Sequence, residues 1–91
     1  MGIEFDPEKS ARNIELRGIS FEETVRFEWE SAIIIPDTRL DYGEPRYRAF
    51  GLIDNRLHAL VFSPREGVIR VISLRKANRR EVLRYETQTQ S

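Results

Sequence analysis

The spacing of apolar and polar residues predicts a helix close to the start of the chain. Residues 3–5 are predicted to form a short strand, since two apolar side chains flank a polar one. Asp6 followed by Pro7 is typical of an N-cap and a first helical position, and Gly18 is typical of a residue that ends a helix. A first helix is therefore predicted from Pro7 to about Arg17.

A second helix is predicted directly after it. Ser20 and Glu23 have the spacing of a capping box. Phe21, Val25 and Trp29 recur every four residues, which is the period of an amphipathic helix. This second helix is predicted to run to about residue 30.

The middle of the chain predicts four strands joined by short connections. Alternating and β-branched residues place them at 31–37, Tyr47–Ile53, Leu57–Ser63 and Val68–Arg75. Parallel neighbours need crossovers of about a dozen residues or more, so connections this short demand antiparallel pairing. The last three strands are predicted to form a meander.

A final helix is predicted after the last strand. Asn78 and Glu81 repeat the capping-box spacing, and the helix is expected to reach about Glu86, with residues 87–91 as a frayed tail. The predicted fold class is α+β, with two N-terminal helices and a C-terminal helix packed on an antiparallel sheet. The length of 91 residues predicts a single domain over 1–91.

Composition narrows the classes of function. The chain has no cysteine, which excludes a disulfide framework, a thiolate nucleophile and a cysteine-type zinc site. No apolar run has the length of a signal peptide or a membrane span. We therefore expect a soluble, cytoplasmic protein without membrane attachment.

Charge is distributed unevenly although the net charge is zero. Residues 1–30 contain four basic and eight acidic side chains, whereas residues 63–91 contain seven basic and three acidic ones. Such polarity favours an anionic partner, commonly nucleic acid, on one surface. A merely solvated charged face is the alternative.

Arg79 and Arg80 occupy the first positions of the last predicted helix, where the helix dipole is already positive. Cations there destabilise a helix by a few tenths of a kcal/mol or more. The same arrangement suits a phosphate, because free backbone N–H groups and two guanidinium groups converge on it. The alternative is that Arg79 pairs with acidic side chains nearby, such as Glu81 and Glu86.

Further arginines lie on the predicted strands. Period-two alternation places Arg75 with Ser73 on one face of the last strand and Arg70 on the other face. Arg46 and Arg48 share a face of the strand around Tyr47, and a turn contributes Arg65. Several arginines on a sheet suit phosphates, although their stems also cover apolar surface.

The remaining candidates for chemistry are few. The single histidine, His58, lies inside a predicted strand and is interpreted as structural. Asp and Glu are spread without the clustering of a metal site. No cofactor is expected, and any phosphodiester chemistry would be metal-independent, with cationic side chains stabilising charge on the phosphate.

Three stretches resemble a known family. FDPEKSARNIELRGISFEET resembles the opening of the BrnT toxins, and GEPRYRAFG with VFSPREGVIRVISLRKANRREVLRYE resembles their second half. The resemblance covers nearly the whole chain. It implies a RelE-like ribonuclease fold and the role of toxin in a type II toxin–antitoxin pair that cleaves RNA and inhibits translation. It also implies a BrnA-like antitoxin with a ribbon-helix-helix fold, so that DNA is contacted only through the complex.

The resemblance also implies which residues form the site. The matching positions are Lys9, Glu44, Arg46, Arg65, Arg70, Ser73, Arg75, Arg79, Arg80, Glu81 and Tyr85, of which Tyr85 is expected to pack. The chain departs from the family at Phe5, where tryptophan is commoner, and at Arg17, where histidine is usual. If that histidine transfers protons, Arg17 puts activity in doubt. Arginine is equally acceptable as a cation at a helix end.

Our mechanistic hypothesis is cleavage by attack of the 2′-hydroxyl on its own phosphate, a reaction that DNA cannot undergo. Arg65, Arg75, Arg79 and Arg80 would hold the phosphate, and Lys9 or Glu44 would transfer protons. Arg46, Arg70 and Ser73 would bind RNA. The alternatives are a degenerate module that binds RNA or the ribosome without cleavage, and a domain whose arginines chiefly bind the antitoxin.

Overall fold

Five strands form one mixed sheet in the order β1-β5-β4-β3-β2. The structure is a computed structural model and describes residues 2–90. The strands are β1 (Gly2–Glu4), β2 (Ile33–Pro36), β3 (Tyr47–Ile53), β4 (Arg56–Arg65) and β5 (Val68–Lys76). The helices are α1 (Pro7–Arg17), a 3₁₀ helix (Phe21–Arg26) and α2 (Arg79–Thr89). The predicted α+β class is confirmed.

The pairing of the strands is antiparallel except at β1. Strands β2, β3, β4 and β5 pair antiparallel in chain order, as their short connections demand. Strand β1 instead pairs parallel to β5, with Gly2 opposite Val68 and Glu4 opposite Arg70. The prediction of a wholly antiparallel sheet is therefore wrong for β1. The chain between β1 and β5 is long enough for β5 to lie beside β1 and to run in the same direction.

Helix α1 has the predicted limits and caps. Asp6 accepts a hydrogen bond from the backbone N–H of Glu8, and Gly18 adopts φ 72° while its N–H donates to Ile14. The Asn13 side chain donates to the backbone oxygen of Leu74 at 2.8 Å. This bond joins α1 to β5.

The prediction of a second amphipathic helix that runs to about residue 30 is wrong. Residues Phe21–Arg26 form a 3₁₀ helix, which ends where the Phe27 N–H donates to the oxygen of Thr24 and Phe27 becomes extended. The Glu28 N–H then donates to the Leu52 oxygen at 2.9 Å, so the chain leaves the helix to bond to the sheet. Val25 is 71% exposed and belongs to no apolar stripe. Tertiary packing of Phe27 overrides the four-residue period.

An aromatic core lies between the sheet and the N-terminal helices. The ring of Phe27 contacts Gly51 of β3, and Trp29 packs edge-to-face on both Phe27 and Phe62. Tyr47 stacks on Phe62 with ring centroids 5.7 Å apart. The buried residues of this core are Phe21, Phe27, Ala49, Ile53, Leu60, Phe62, Ile69, Val71 and Leu74.

A bulge in β5 changes which side chains face this core. Val61 pairs with Ser73 and Phe62 pairs with Val71, so Ile72 is an extra residue on β5. Alternation restarts after it, which places Leu74 in the core and turns Arg75 to the opposite face. Arg70 also lies on that opposite face, because its neighbours Ile69 and Val71 are buried in the core. The prediction that Arg70 and Arg75 lie on different faces is wrong.

Helix α2 lies on the opposite face of the sheet from α1. Its capping box is complete, since Asn78 accepts from the N–H of Glu81 and Glu81 accepts from the N–H of Asn78, both at 2.9 Å. The helix ends at Thr89, beyond the predicted end near Glu86. Of the predicted tail, residues 87–89 form the last turn and residue 91 lies outside the described residues. Neither α1 nor α2 is long and apolar enough to cross a membrane.

The contact between Phe27 and Gly51 gives a test of the core. A Cβ atom at Gly51 would lie 2.5 Å from Cζ of Phe27. We expect Gly51→Ala to lower the free energy of unfolding by roughly 1–3 kcal/mol, because overpacking forces the ring to move. Thermal unfolding measures the loss. Gly2→Ala is the matched control, since its Cβ would make an ordinary 3.6 Å contact with Val68. Equal losses in the two variants would contradict the proposed clash.

Candidate functional site

Basic side chains gather on the face of the sheet that is turned away from the aromatic core. We call this surface the arginine face. Its members come from β3 and the residue before it, the end of β4, β5 and α2, and are Arg46, Arg48, Arg65, Arg70, Arg75, Arg80 and Arg84. The bulge in β5 is what adds Arg75 to this group.

Arg75 and Glu81 form the central ion pair. The two terminal nitrogens of Arg75 donate to the two carboxylate oxygens of Glu81 at 2.8 and 2.9 Å. Hydrogen bonding from Arg75 lowers the pKa of Glu81, and the same bond raises the pKa of Arg75. Both groups are therefore charged at neutral pH. Because Glu81 also caps α2, the pair fixes the start of the helix against β5.

A second ion pair lies in the loop between β2 and β3. The carboxylate of Asp37 is 1% exposed and accepts two hydrogen bonds from the Arg39 guanidinium, both at 2.7 Å. These bonds lower the pKa of Asp37 to about 2. Tyr42 donates to the same carboxylate at 3.4 Å, and the guanidinium of Arg46 lies 4.0 Å from the centre of the Tyr42 ring. Neither Asp37 nor Arg39 was predicted to be a site residue. An acidic residue two positions from an arginine is too common a pattern to single them out.

Glu44 lies between two arginines of the face. Its carboxylate is 3.1 Å from the terminal nitrogen of Arg65 and 3.5 Å from Nε of Arg46. The hydrogen bond from Arg65 lowers the pKa of Glu44. Three residues that were predicted for the site, Glu44, Arg46 and Arg65, are thus brought together.

A groove separates α2 from β2 and β3. It has a volume of about 380 Å³ and is lined by Arg48, Arg80 and Arg84 beside the Arg75 partner Glu81. Within residues 2–90 none of these three arginines has a carboxylate partner. The Nε atom of Arg48 is buried and has no hydrogen-bond acceptor among those residues.

Arg84 was missed as a site residue, and Arg48 was predicted to share a strand face with Arg46 but was not assigned to the site, although signals for both exist in the sequence. Arg48 alternates with Arg46 on one face of β3, and Arg84 follows Arg80 by four residues on one face of α2. Each signal needs the location of α2 before it points to a shared site. That location depends on the turn at 77–78, whose Ala77 N–H donates to the Leu57 oxygen.

The other predicted site residues are placed separately. Ser73 lines a smaller depression beside Arg75, and Arg70 pairs with Glu4 at 3.6 Å. Arg79 is exposed and does not line the groove, and it makes no ion pair within residues 2–90. Lys9 is exposed on α1, on the core side of the sheet, and the structure does not bring it together with the arginines.

His58 and Arg17 lie away from the arginine face. His58 is 4% exposed, and its Nδ1 donates to the backbone oxygen of Arg56 at 2.7 Å. Burial lowers the pKa of His58, so the ring is neutral at pH 7. Arg17 is the last residue of α1, where a cation faces the negative end of the helix dipole. Within residues 2–90 no cluster of His, Asp and Glu has the arrangement of a metal site.

The Asp37–Arg39 pair predicts a stability that depends on pH. The folded-state pKa of Asp37 is about 2, below its ordinary value of 3.8, so ionisation stabilises the fold above about pH 4. That contribution disappears as the pH falls towards 2. We expect Asp37→Asn to lower the melting temperature by roughly 5 °C at pH 7, or about 1 kcal/mol, and to have little effect at pH 2.

The control for this experiment is Asp41→Asn. Asp41 lies in the same loop and is exposed, and among residues 2–90 it accepts only from the Gly43 N–H, a bond that asparagine can keep. An Asp37→Asn loss of the same size at pH 2 and pH 7 would show that packing, rather than charge, is disturbed.

Comparison with known families identifies the class of protein. The family described as "Ribonuclease toxin, BrnT, of type II toxin-antitoxin system" matches residues 5–81, which is most of the chain. The matched range contains every residue predicted to act in catalysis or RNA binding and ends before Arg84 and Tyr85. A search of curated proteins found no match. Membership in this class implies an RNA substrate and an antitoxin partner. The chain thus belongs to the BrnT family of ribonuclease toxins of type II toxin–antitoxin systems.

Proposed function

We propose that the protein is an endoribonuclease that needs no metal ion and that cleaves RNA on the arginine face. The observation that supports this most directly is the gathering of guanidinium groups on one face of a chain with no net charge. Preorganised cations next to a phosphate stabilise the additional negative charge of the transition state. Each such contact is worth on the order of 10² to 10³ in rate.

In the proposed reaction the 2′-oxygen attacks the adjacent phosphorus and the bond from phosphorus to the 5′-oxygen breaks. The products are a 2′,3′-cyclic phosphate and a 5′-hydroxyl, so the 2′-hydroxyl loses a proton and the leaving oxygen gains one. Glu44 is our candidate to accept the first proton. Its lowered pKa keeps it ionised, and it lies beside Arg46 and Arg65. Lys9, the other candidate of the sequence analysis, lies on the opposite side of the sheet.

The proposed phosphate contacts are Arg65, Arg75, Arg79 and Arg80, with Arg46, Arg70 and Ser73 binding further along the RNA. Arg80 has no carboxylate partner within residues 2–90, so its full charge is available. Arg75 is held by Glu81 and presents a fixed cation rather than a mobile one. A RelE-like fold, which the family resemblance implies, and inhibition of translation through RNA cleavage are part of this proposal.

A second candidate function is RNA or ribosome binding without cleavage. Two observations favour it: Arg75 and Glu44 are already engaged in ion pairs, and Arg17 replaces the histidine that is usual in the family. A protein of this kind would bind RNA and leave its ends unchanged. The following experiment separates the two candidates.

We expect purified protein with EDTA to produce 2′,3′-cyclic phosphate ends on RNA, and Arg79→Ala with Arg80→Ala to reduce the rate at least 100-fold. End analysis of total RNA measures this. Both arginines lie at the positive end of α2, so their removal is expected to leave the melting temperature unchanged or slightly higher. A loss of cleavage without a loss of stability is therefore the expected pair of results.

The matched control is Arg12→Ala with Arg56→Ala, which removes the same charge from exposed positions away from the arginine face. We expect this control to retain full activity. Unchanged cleavage by the variant that lacks Arg79 and Arg80 would contradict the proposed phosphate site. Binding without new RNA ends in the wild type would favour the second candidate.

We also propose that the antitoxin partner is BrnA-like, with a ribbon-helix-helix DNA-binding domain, and that it covers part of the arginine face with an acidic segment. Toxin and DNA would then meet only through the complex. Arg80→Glu is expected to weaken binding of the cognate antitoxin about tenfold or more, because like charges are brought together. Titration calorimetry measures this, with Arg12→Glu as the control. Unaltered affinity would place the antitoxin on another surface.

A further inference from the structure

The groove beneath α2 combines an apolar floor with a cationic rim. Its floor consists of Ile33 and Ile35 of β2 with Phe50 of β3. Ile33 is paired across the strands with Phe50, and Ile35 with Arg48, so floor and rim belong to one continuous patch. At about 380 Å³ the groove lies at the small end of the range of ligand sites, roughly 300–1,000 Å³.

The floor is left partly open because α2 does not close over it. Ile33, Ile35 and Phe50 are all only partly buried, and α2 has no buried residue. The helix is held at its start by the Arg75–Glu81 pair and further along by Tyr85, whose hydroxyl donates to the Ser31 oxygen at 2.8 Å. Between these two contacts the apolar floor is accessible from the rim.

The charge around the floor is positive and suits an anionic ligand. Arg48, Arg80 and Arg84 line the groove without carboxylate partners among residues 2–90. Glu81, the one acidic side chain that the described residues contribute to the lining, is already neutralised by Arg75. The Nε–H of Arg48 is buried without an acceptor within the described chain, and such an unpaired donor costs free energy unless a ligand accepts from it.

We propose that this groove binds one nucleotide of single-stranded RNA, with its base on Ile33, Ile35 and Phe50 and its phosphate at Arg48 and Arg84. A nucleotide has a flat base, which fits the apolar floor, and a phosphate, which fits the cationic rim. Bases of single strands are free to contact such a surface, whereas those of a duplex are stacked and paired. This inference rests on the proposed function, since it makes the groove a subsite beside the cleavage site. It gives Arg48 and Arg84 roles in substrate binding.

The test uses the full protein with isoleucine methyl groups labelled for NMR. The probes are 2′-O-methyl trinucleotides of each of the four bases, which the proposed mechanism cannot cleave. A base on the floor is expected to shift the methyl signals of Ile33 and Ile35 through its ring current. Ile34 is the internal control, because it lies on the other face of the same strand, and Ile69 reports on the buried core.

Substitutions test the rim of the groove. Arg48→Gln and Arg84→Gln are each expected to weaken trinucleotide binding about tenfold, because each removes one charge-assisted contact. Arg12→Gln on α1 is the charge-matched control and is expected to bind normally. Inorganic phosphate is expected to move the Nε–H signal of Arg48 while leaving the Ile33 and Ile35 methyl groups in place.

The outcomes separate this inference from the proposed function. Cleavage of RNA with no shift at Ile33 or Ile35 for any trinucleotide would overturn the nucleotide site and leave the ribonuclease proposal standing. Shifts at both methyl groups without RNA cleavage would retain the nucleotide site and overturn the ribonuclease proposal. A groove that responds to an acidic peptide and to no trinucleotide would identify it as a protein-binding site and overturn the inference.

Discussion

The bulge in β5 is the constraint on which the arginine face depends. Before Ile72, alternation buries Ile69 and Val71, and after it Leu74 is buried. Without the extra residue, a strand with Ile69 and Val71 in the core would place Ser73 and Arg75 in the core as well and would turn Leu74 away from it. Burying an unpaired guanidinium costs far more than a local break in the ladder. The bulge thus resolves a conflict within one strand, and by doing so it adds Ser73 and Arg75 to the face that already carries Arg70.

The same arginine determines where α2 begins. Glu81 accepts both from Arg75 and from the N–H of Asn78, so one carboxylate joins the sheet to the helix cap. It also supplies negative charge at a helix start that Arg79 and Arg80 make unfavourable. Because α2 buries no residue of its own, polar contacts rather than core packing hold it. An open groove beneath the helix is the consequence.

Local signals in the sequence were sufficient for some elements and insufficient for others. The caps at Asp6, Gly18 and Asn78 depend on neighbours within four residues, and the helices they limit begin where predicted. The 3₁₀ helix, the parallel pairing of β1 and the bulge each depend on residues distant in the chain. Phe27 leaves a helical path because Gly51 offers space for its ring. None of Val71, Ile72 and Ser73 is a glycine or proline, so residue type in this segment does not indicate a bulge.

The candidate site shows the same division. Arg79 and Arg80 could be predicted from the helix dipole, and the family resemblance indicated Arg75 and Glu81. Only the fold shows that Arg75 is already paired with a carboxylate and that, within residues 2–90, Arg48 and Arg84 are not.

Some arginines of the face and its neighbouring loop are paired with carboxylates and others are not. This difference bears on how a protein with no net charge can attract RNA. Arg75, Arg65 and Arg39 are held by Glu81, Glu44 and Asp37, and pairing fixes their guanidinium groups in place. Fixed groups lose little conformational entropy when a ligand arrives, but their net charge is offset. Arg48, Arg80 and Arg84 contribute the opposite property, because within residues 2–90 no carboxylate offsets them. Of the eight acidic side chains among the first thirty residues, four lie on α1 and the 3₁₀ helix, on the other side of the sheet, where four basic side chains balance them. The helical side therefore adds no net charge, and the unpaired guanidinium groups concentrate the attraction for a polyanion on the groove and its surroundings.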